Sequence, residues 1–198
     1  MATRNQLNPP PLRKITDFKS KLSGGGARSN LFECELAFPS AVNVEGLNDI
    51  LNKARFLVKA ANLPASNVAP IEVPFRGRVL KIAGDRTFDT WTITIINDTD
   101  FAIRSAFEKW MNTINRVSDN TGTTNPADYQ ADAFVFQLDR SGETLRNYKI
   151  YDVFPTQVAP IELSYDAQGI QEFQVELQVL YWEAIKGNGA NAGGEDIN

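Results

Sequence analysis

Apolar residues recur at every second position in segment after segment of this chain, and that period restricts the fold more than any other feature. Phe32, Cys34, Leu36 and Phe38 lie on one side of an extended segment, with Glu33 and Glu35 on the other. Phe134, Phe136 and Leu138 repeat the pattern, as do Ile161, Leu163 and Tyr165. A last long run carries Phe173, Val175, Leu177, Val179 and Tyr181 on one side, with Gln and Glu between them. A two-residue period is that of a strand with one buried face, and such strands build antiparallel sheets.

Turn chemistry punctuates the strands. Asn62-Leu63-Pro64, Ala83-Gly84-Asp85-Arg86, Asp139-Arg140-Ser141-Gly142 and Asp166-Ala167-Gln168-Gly169 read as turns. Arg55 to Ala60 reads as a strand, preceded by a polar excursion over 39–54 with a helical turn at Leu47, Ile50 and Leu51. Ile71 to Ile82 reads as one extended segment; Pro74 and Gly77 within it predict an edge, a bulge or a strong bend. Phe88, Trp91, Ile93 and Ile95 interleave with polar residues, with a shift of face near Thr90.

One helix stands out. Ile103, Ala106, Phe107, Trp110, Met111 and Ile114 follow the i, i+3, i+4, i+7 spacing, after Asn97-Asp98-Thr99-Asp100, a run of helix-capping residue types. The expected fold is mainly β (α+β): about eight strands in an antiparallel β-sandwich or partly open barrel, with this one α-helix packed against it. Candidate core residues are Phe88, Trp91, Phe107, Trp110 and Phe173. Cys34 falls in an apolar stripe and reads as a buried, inert thiol.

The first 28 residues differ from the rest. Asn8-Pro9-Pro10-Pro11 is a polyproline-like lead-in, and Leu12, Ile15, Phe18 and Leu22 then recur at helical spacing up to Gly24-Gly25-Gly26. Residues 1–28 hold six cations against one anion, a net of +5, while the remainder holds 14 against 23, a net of -9. A basic arm on an acidic body suits docking on an acidic surface, such as another copy; a solvated tail is the plain alternative. The domain reading is an arm over 1–28, a body over 29–183 and a flexible Gly/Asn-rich tail over 184–198.

Several function classes are excluded. The chain has no histidine, which removes His-based catalysis and His-containing zinc sites, and a single cysteine, which removes an intrachain disulfide and any CxxC motif. A net charge of -4 argues against a general nucleic-acid binder. No apolar run approaches the ~20 residues of a membrane span, and Met1 to Pro11 lacks the apolar core of a signal peptide; both predict a soluble chain made in the cytosol. Asp98 and Asp100 form a D-x-D pair that capping explains. Asp85, Arg86 and Asp89 read as a salt-bridged turn rather than a catalytic cluster. No enzyme, cofactor or metal is expected. A binding or structural protein remains, either a ligand-holding barrel or a sheet that continues into neighbouring copies; a hydrolase with a carboxylate pair is the third and weakest class.

The segment from Ile71 to Asp98 narrows this further. Its core, Ala83-Gly84-Asp85-Arg86-Thr87-Phe88-Asp89-x-Trp91-Thr92 followed by Asn97-Asp98, resembles the tail tube proteins of contractile-tailed phages of the T-even type. The resemblance runs on to Trp110, resumes at Pro126-Ala127-Asp128-Tyr129 and Pro155-Thr156-x-Val158, and closes at Tyr181-Trp182-Glu183; with Asn30-Leu31-Phe32 it covers roughly residues 28–183. The arm before Arg28, the excursion 39–54 and the tail after Glu183 depart from the short family pattern. The resemblance implies a hexameric ring whose subunits share a continuous inner β-barrel, with rings stacked into a tube of the virion. It implies self-association, a sheath protein outside, a tape-measure protein and DNA in the lumen, and a baseplate and tail terminator at the ends, with no membrane binding. A tube initiator and the tubes of type VI-like injection systems share the fold and are the alternatives within it. Leu12, Ile15, Phe18, Leu22, Asp85 and Arg86 are the candidate subunit-interface residues.

Overall fold

The computed structural model describes residues 14–22 and 25–187. Nine strands and four helices occupy them: α1 (Ile15–Lys21), β1 (Phe32–Leu36), α2 (Leu47–Leu57), β2 (Val58–Ala61), β3 (Ser66–Phe75), β4 (Arg78–Phe88), β5 (Trp91–Ile96), α3 (Ala102–Ile114), α4 (Pro126–Tyr129), β6 (Ala131–Leu138), β7 (Thr144–Val158), β8 (Glu172–Gln178) and β9 (Tyr181–Gly187).

All strand pairs are antiparallel. Seven strands form one sheet in the order β1-β6-β7-β8-β5-β2, with β9 also on β7. The long β7 is its spine: the first part pairs with β6 and β9, the last part with β8. The strand turns at Asp152, whose φ of 51° marks a bulge opposite Asp132. The Asp132 carboxylate accepts from the Asp152 backbone N–H at 3.4 Å and pairs with Lys149 at 2.8 Å, so one side chain braces the corner. There the sheet changes direction and curls around a single core.

Both curled halves supply that core. Cys34, Leu36, Ala133, Val135 and Ile150 come from one, and Trp91, Ile93, Ile95, Phe173, Val175 and Leu177 from the other. In the register, Trp91 faces Leu177, Ile93 faces Val175 and Ile95 faces Phe173. The period-two pattern dictates this pairing, since one slip would turn every one of these side chains to the opposite face. α3 closes the core with Ile103, Phe107 and Trp110, and Phe38 sits between the latter two rings at 5.2 and 4.9 Å. Trp110 Nε1 donates to the Tyr129 carbonyl at 2.7 Å, tying α3 to α4.

The structure corrects several expectations. A second helix packs on the body: α2 runs through Arg55, Phe56 and Leu57, where a strand was expected, and only Val58 to Ala61 pair with β5. Ala54 is buried, and Arg55 reaches Glu33 on β1, so tertiary contact decides in favour of the helix. On β6 the core residues are Ala133 and Val135, while Phe134 and Phe136 stack on the other face at 6.2 Å. After Val179 the last strand kinks at the exposed Leu180; Tyr181 then pairs with Tyr151, and Ala184, beyond the expected end of the body, is buried against β7.

Candidate assembly surfaces

β3 and β4 stand apart from the main sheet as a two-stranded hairpin. Arg76 and Gly77 form its tip with φ of 46° and 81°, the pair of positive values a two-residue type I′ turn requires. Gly77 is therefore a turn residue between two strands, not a break within one. Across the ladder Ile71 faces Ile82, and Val73 faces Leu80. Together with Phe75 these five side chains share one face, and all are exposed, Phe75 to 66% and Leu80 to 60%. On the opposite face Lys81 pairs with Glu72 at 3.1 Å. None of the five belongs to the core. A contiguous apolar strand face left open in this way marks an interaction surface.

Asp85 and Arg86 lie on this hairpin. The expected turn at 83–86 is a bulge inside β4: Val68 pairs with Arg86 and Pro70 with Ala83, so Gly84 and Asp85 together oppose Ala69. Asp85 and Arg86 are both exposed, and among the described residues neither makes an ion pair within the chain, contrary to the salt bridge expected there. The base of the hairpin is closed instead by Asn67 on β3, whose side-chain amide donates to Asp89, just beyond β4, at 2.9 Å.

The second surface is α1. Ile15, Phe18 and Leu22 are 68%, 61% and 46% exposed and lie on one helix face. Leu12 lies outside the described residues. Asp17 accepts from the Lys14 backbone N–H at 3.0 Å and caps the first turn.

The remaining expected core residues sit as follows. Trp91, Phe107, Trp110 and Phe173 are buried, and Phe88 is half-buried, edge-on to Trp182 at 6.3 Å. Among the described residues the inside of the curled sheet holds this buried core, which argues against a ligand-holding barrel.

Two faces of the sheet differ in chemistry. On β5 and β8 the outward residues are Thr92 beside Glu176 and Thr94 beside Gln174, a polar band. On β6, β7 and β9 they include Phe134, Phe136, Tyr151 and Tyr181; the last two rings stack at 4.4 Å, and Lys149 lies over Tyr151 at 4.2 Å.

The carboxylate pair is structural. Lys53 Nζ donates to Asp98 at 2.7 Å and Asp100 at 2.9 Å, and the other Asp98 oxygen accepts from the Ala102 N–H at the start of α3. The ammonium holds Asp100 below its ordinary pKa. Burial pushes the Cys34 thiol up to about 12, out of reach of nucleophilic chemistry. No group of three or more metal-ligating side chains gathers among the described residues.

Residues 27–184 match the family model described as phage tail tube protein. The tail tube protein gp19 of Enterobacteria phage T4 is 34% identical over 163 residues, which span 81% of this chain and 93% of that protein. The tail tube protein of Serratia phage KSP90 is 26% identical over 86% of this chain and 96% of its own. The fold also matches a chain of the anti-feeding prophage baseplate, with a TM-score of 0.61 and 10% identity over 83% of this chain and 98% of that one. A chain of an extracellular contractile injection system, in its extended sheath-tube complex, gives 0.57 and 12% over 83% and 95%. The two phage relatives are named tail tube proteins, and the family match spans the core, the hairpin and helices α2, α3 and α4: the chain belongs to the phage tail tube protein family.

Proposed function

We infer that this chain is the repeating subunit of a phage tail tube. Six copies close a ring, and rings stack into a conduit that holds the tape-measure protein before ejection and passes DNA during it. A sheath surrounds it, and baseplate and terminator cap its ends. The observation that carries this reading is the open apolar face of the β3–β4 hairpin, Ile71, Val73, Phe75, Leu80 and Ile82. A stable monomer rarely leaves such a face in water; a subunit that repeats heterologously buries it against the next copy, and a heterologous contact that closes gives a ring.

The Thr92–Glu176 end of the polar band supplies the channel face. Lys59 at the edge of this face is already paired with Glu172 at 2.6 Å, and the Glu176 carboxylate repels phosphates, so a passing genome does not adhere. The aromatic face across β6, β7 and β9 then points outward.

Concentrating the purified chain and imaging it in negative stain tests the reading. Hollow tubes that lengthen with concentration are expected. Rings that never stack would make it an initiator, and monomers at every concentration would overturn it.

A further inference from the structure

We propose that α1 of one copy docks on the acidic loop between β7 and β8 of a neighbouring copy, an interface that rests on the tube reading above. Among the described residues nothing covers the apolar face of α1, where Ile15, Phe18 and Leu22 stand more than 40% exposed. A seven-residue helix has too few internal hydrogen bonds to persist by propensity alone, so it needs a surface to form on. The helix carries Lys14, Lys19 and Lys21 against Asp17, and the arm as a whole is basic.

The receiving surface matches on both counts. Between β7 and β8 the chain leaves the sheet and exposes Leu163, Tyr165 and Ile170, at 83%, 110% and 75%. The same loop carries Glu162 and Asp166 and no cation. Ile161, Leu163, Ile170 and Phe173 line a concave surface of about 750 Å³ beneath it, wide enough to take the side chains of a helix face. A second concavity, around Met111, Val117, Phe154 and Pro155, has Glu108 as its only charged lining residue, and that carboxylate is already paired with Arg104. Charge thus selects the loop. Residues 23–31 separate α1 from β1, and nine residues reach up to about 30 Å, enough to cross a subunit boundary. Lys19 and Lys21 orient the helix over Glu162 and Asp166 while Phe18 enters between Leu163 and Ile170. Opposite charges at this contact make it weaken with salt.

Disulfide trapping tests this directly, because the single native cysteine is 1% exposed and stays silent. Phe18→Cys protein is mixed with Leu163→Cys protein, assembled and oxidised. A mixed dimer is expected, forming at least tenfold faster than from Ser20→Cys, which lies on the opposite side of α1. K19E/K21E should slow trapping at low salt, and adding E162K/D166K on the partner should restore it. Normal tubes without the mixed dimer would overturn the docking and leave the tube reading intact. Trapping in the F18C/L163C double variant at dilutions where nothing assembles would place the helix on its own chain and overturn it too. If the unmodified chain forms no tubes, the tube reading falls and the docking with it.

Discussion

Gly84 lies so close to Ala69 that a Cβ on it would stand 2.5 Å from the Ala69 carbonyl oxygen. The bulge that carries Asp85 therefore needs glycine for close approach of two backbones. Gly84→Ala should displace β4 against β3 at a cost of about 1–3 kcal/mol, confined to the hairpin. Circular dichroism should show the body folded with a nearly unchanged melting curve, while tube yield by pelleting falls severalfold.

Arg86 sits on that bulge without an intrachain partner among the described residues. Arg86→Glu should leave monomer stability within about 0.5 kcal/mol, because exposed substitutions away from special contacts do little. Tube formation should nevertheless drop. Normal assembly by Arg86→Glu would remove this residue from the interface.

The two buried tryptophans separate packing from hydrogen bonding. Trp91→Ala should cost about 3–5 kcal/mol as a cavity in the core. The subtler pair is Trp91→Phe and Trp110→Phe. Trp91 Nε1 has no hydrogen-bond partner among the described residues, whereas Trp110 Nε1 donates to Tyr129. Trp110→Phe should cost about 1 kcal/mol more than Trp91→Phe, the value of a lost hydrogen bond, in urea titrations.

Acid should uncouple α2 from α3. Asp100 is held below its ordinary pKa by Lys53, so its contribution is present above the unfolded carboxylate value and is lost as pH falls through the folded one. Lys53→Ala should therefore lower the urea midpoint at neutral pH, and the difference from the natural chain should shrink as pH falls below the ordinary carboxylate range. Cys34 runs the other way: with its folded pKa up at about 12, stability falls as pH rises above the unfolded thiol value. A thiol reagent at pH 8 should label it only after denaturation.

The buried strands were legible because both partners of each pair obey the same period: Trp91, Ile93 and Ile95 alternate as strictly as Leu177, Val175 and Phe173. α3 was legible for the same reason at helical spacing. Phe134 and Phe136 misled because both faces of β6 are apolar, and the period then names two faces without saying which is inside. Arg55-Phe56-Leu57 looks strand-like, yet Ala54 and the Arg55 contact to Glu33 hold it helical, information that lies in β1 rather than in the segment. Gly84-Asp85 has turn composition, and only the pairing with Ala69 reveals a bulge. The hairpin escaped notice because its period-two apolar residues serve no core of their own chain; Ile71, Val73 and Phe75 before Arg76-Gly77 carried the signal.

The most direct test is a helical cryo-electron microscopy reconstruction of tubes grown from this chain alone. The account predicts hollow six-subunit rings in which Ile71, Val73, Phe75, Leu80 and Ile82 are buried against an adjacent copy. Tubes of another build, or rings in which that hairpin face stays in solvent, would contradict it.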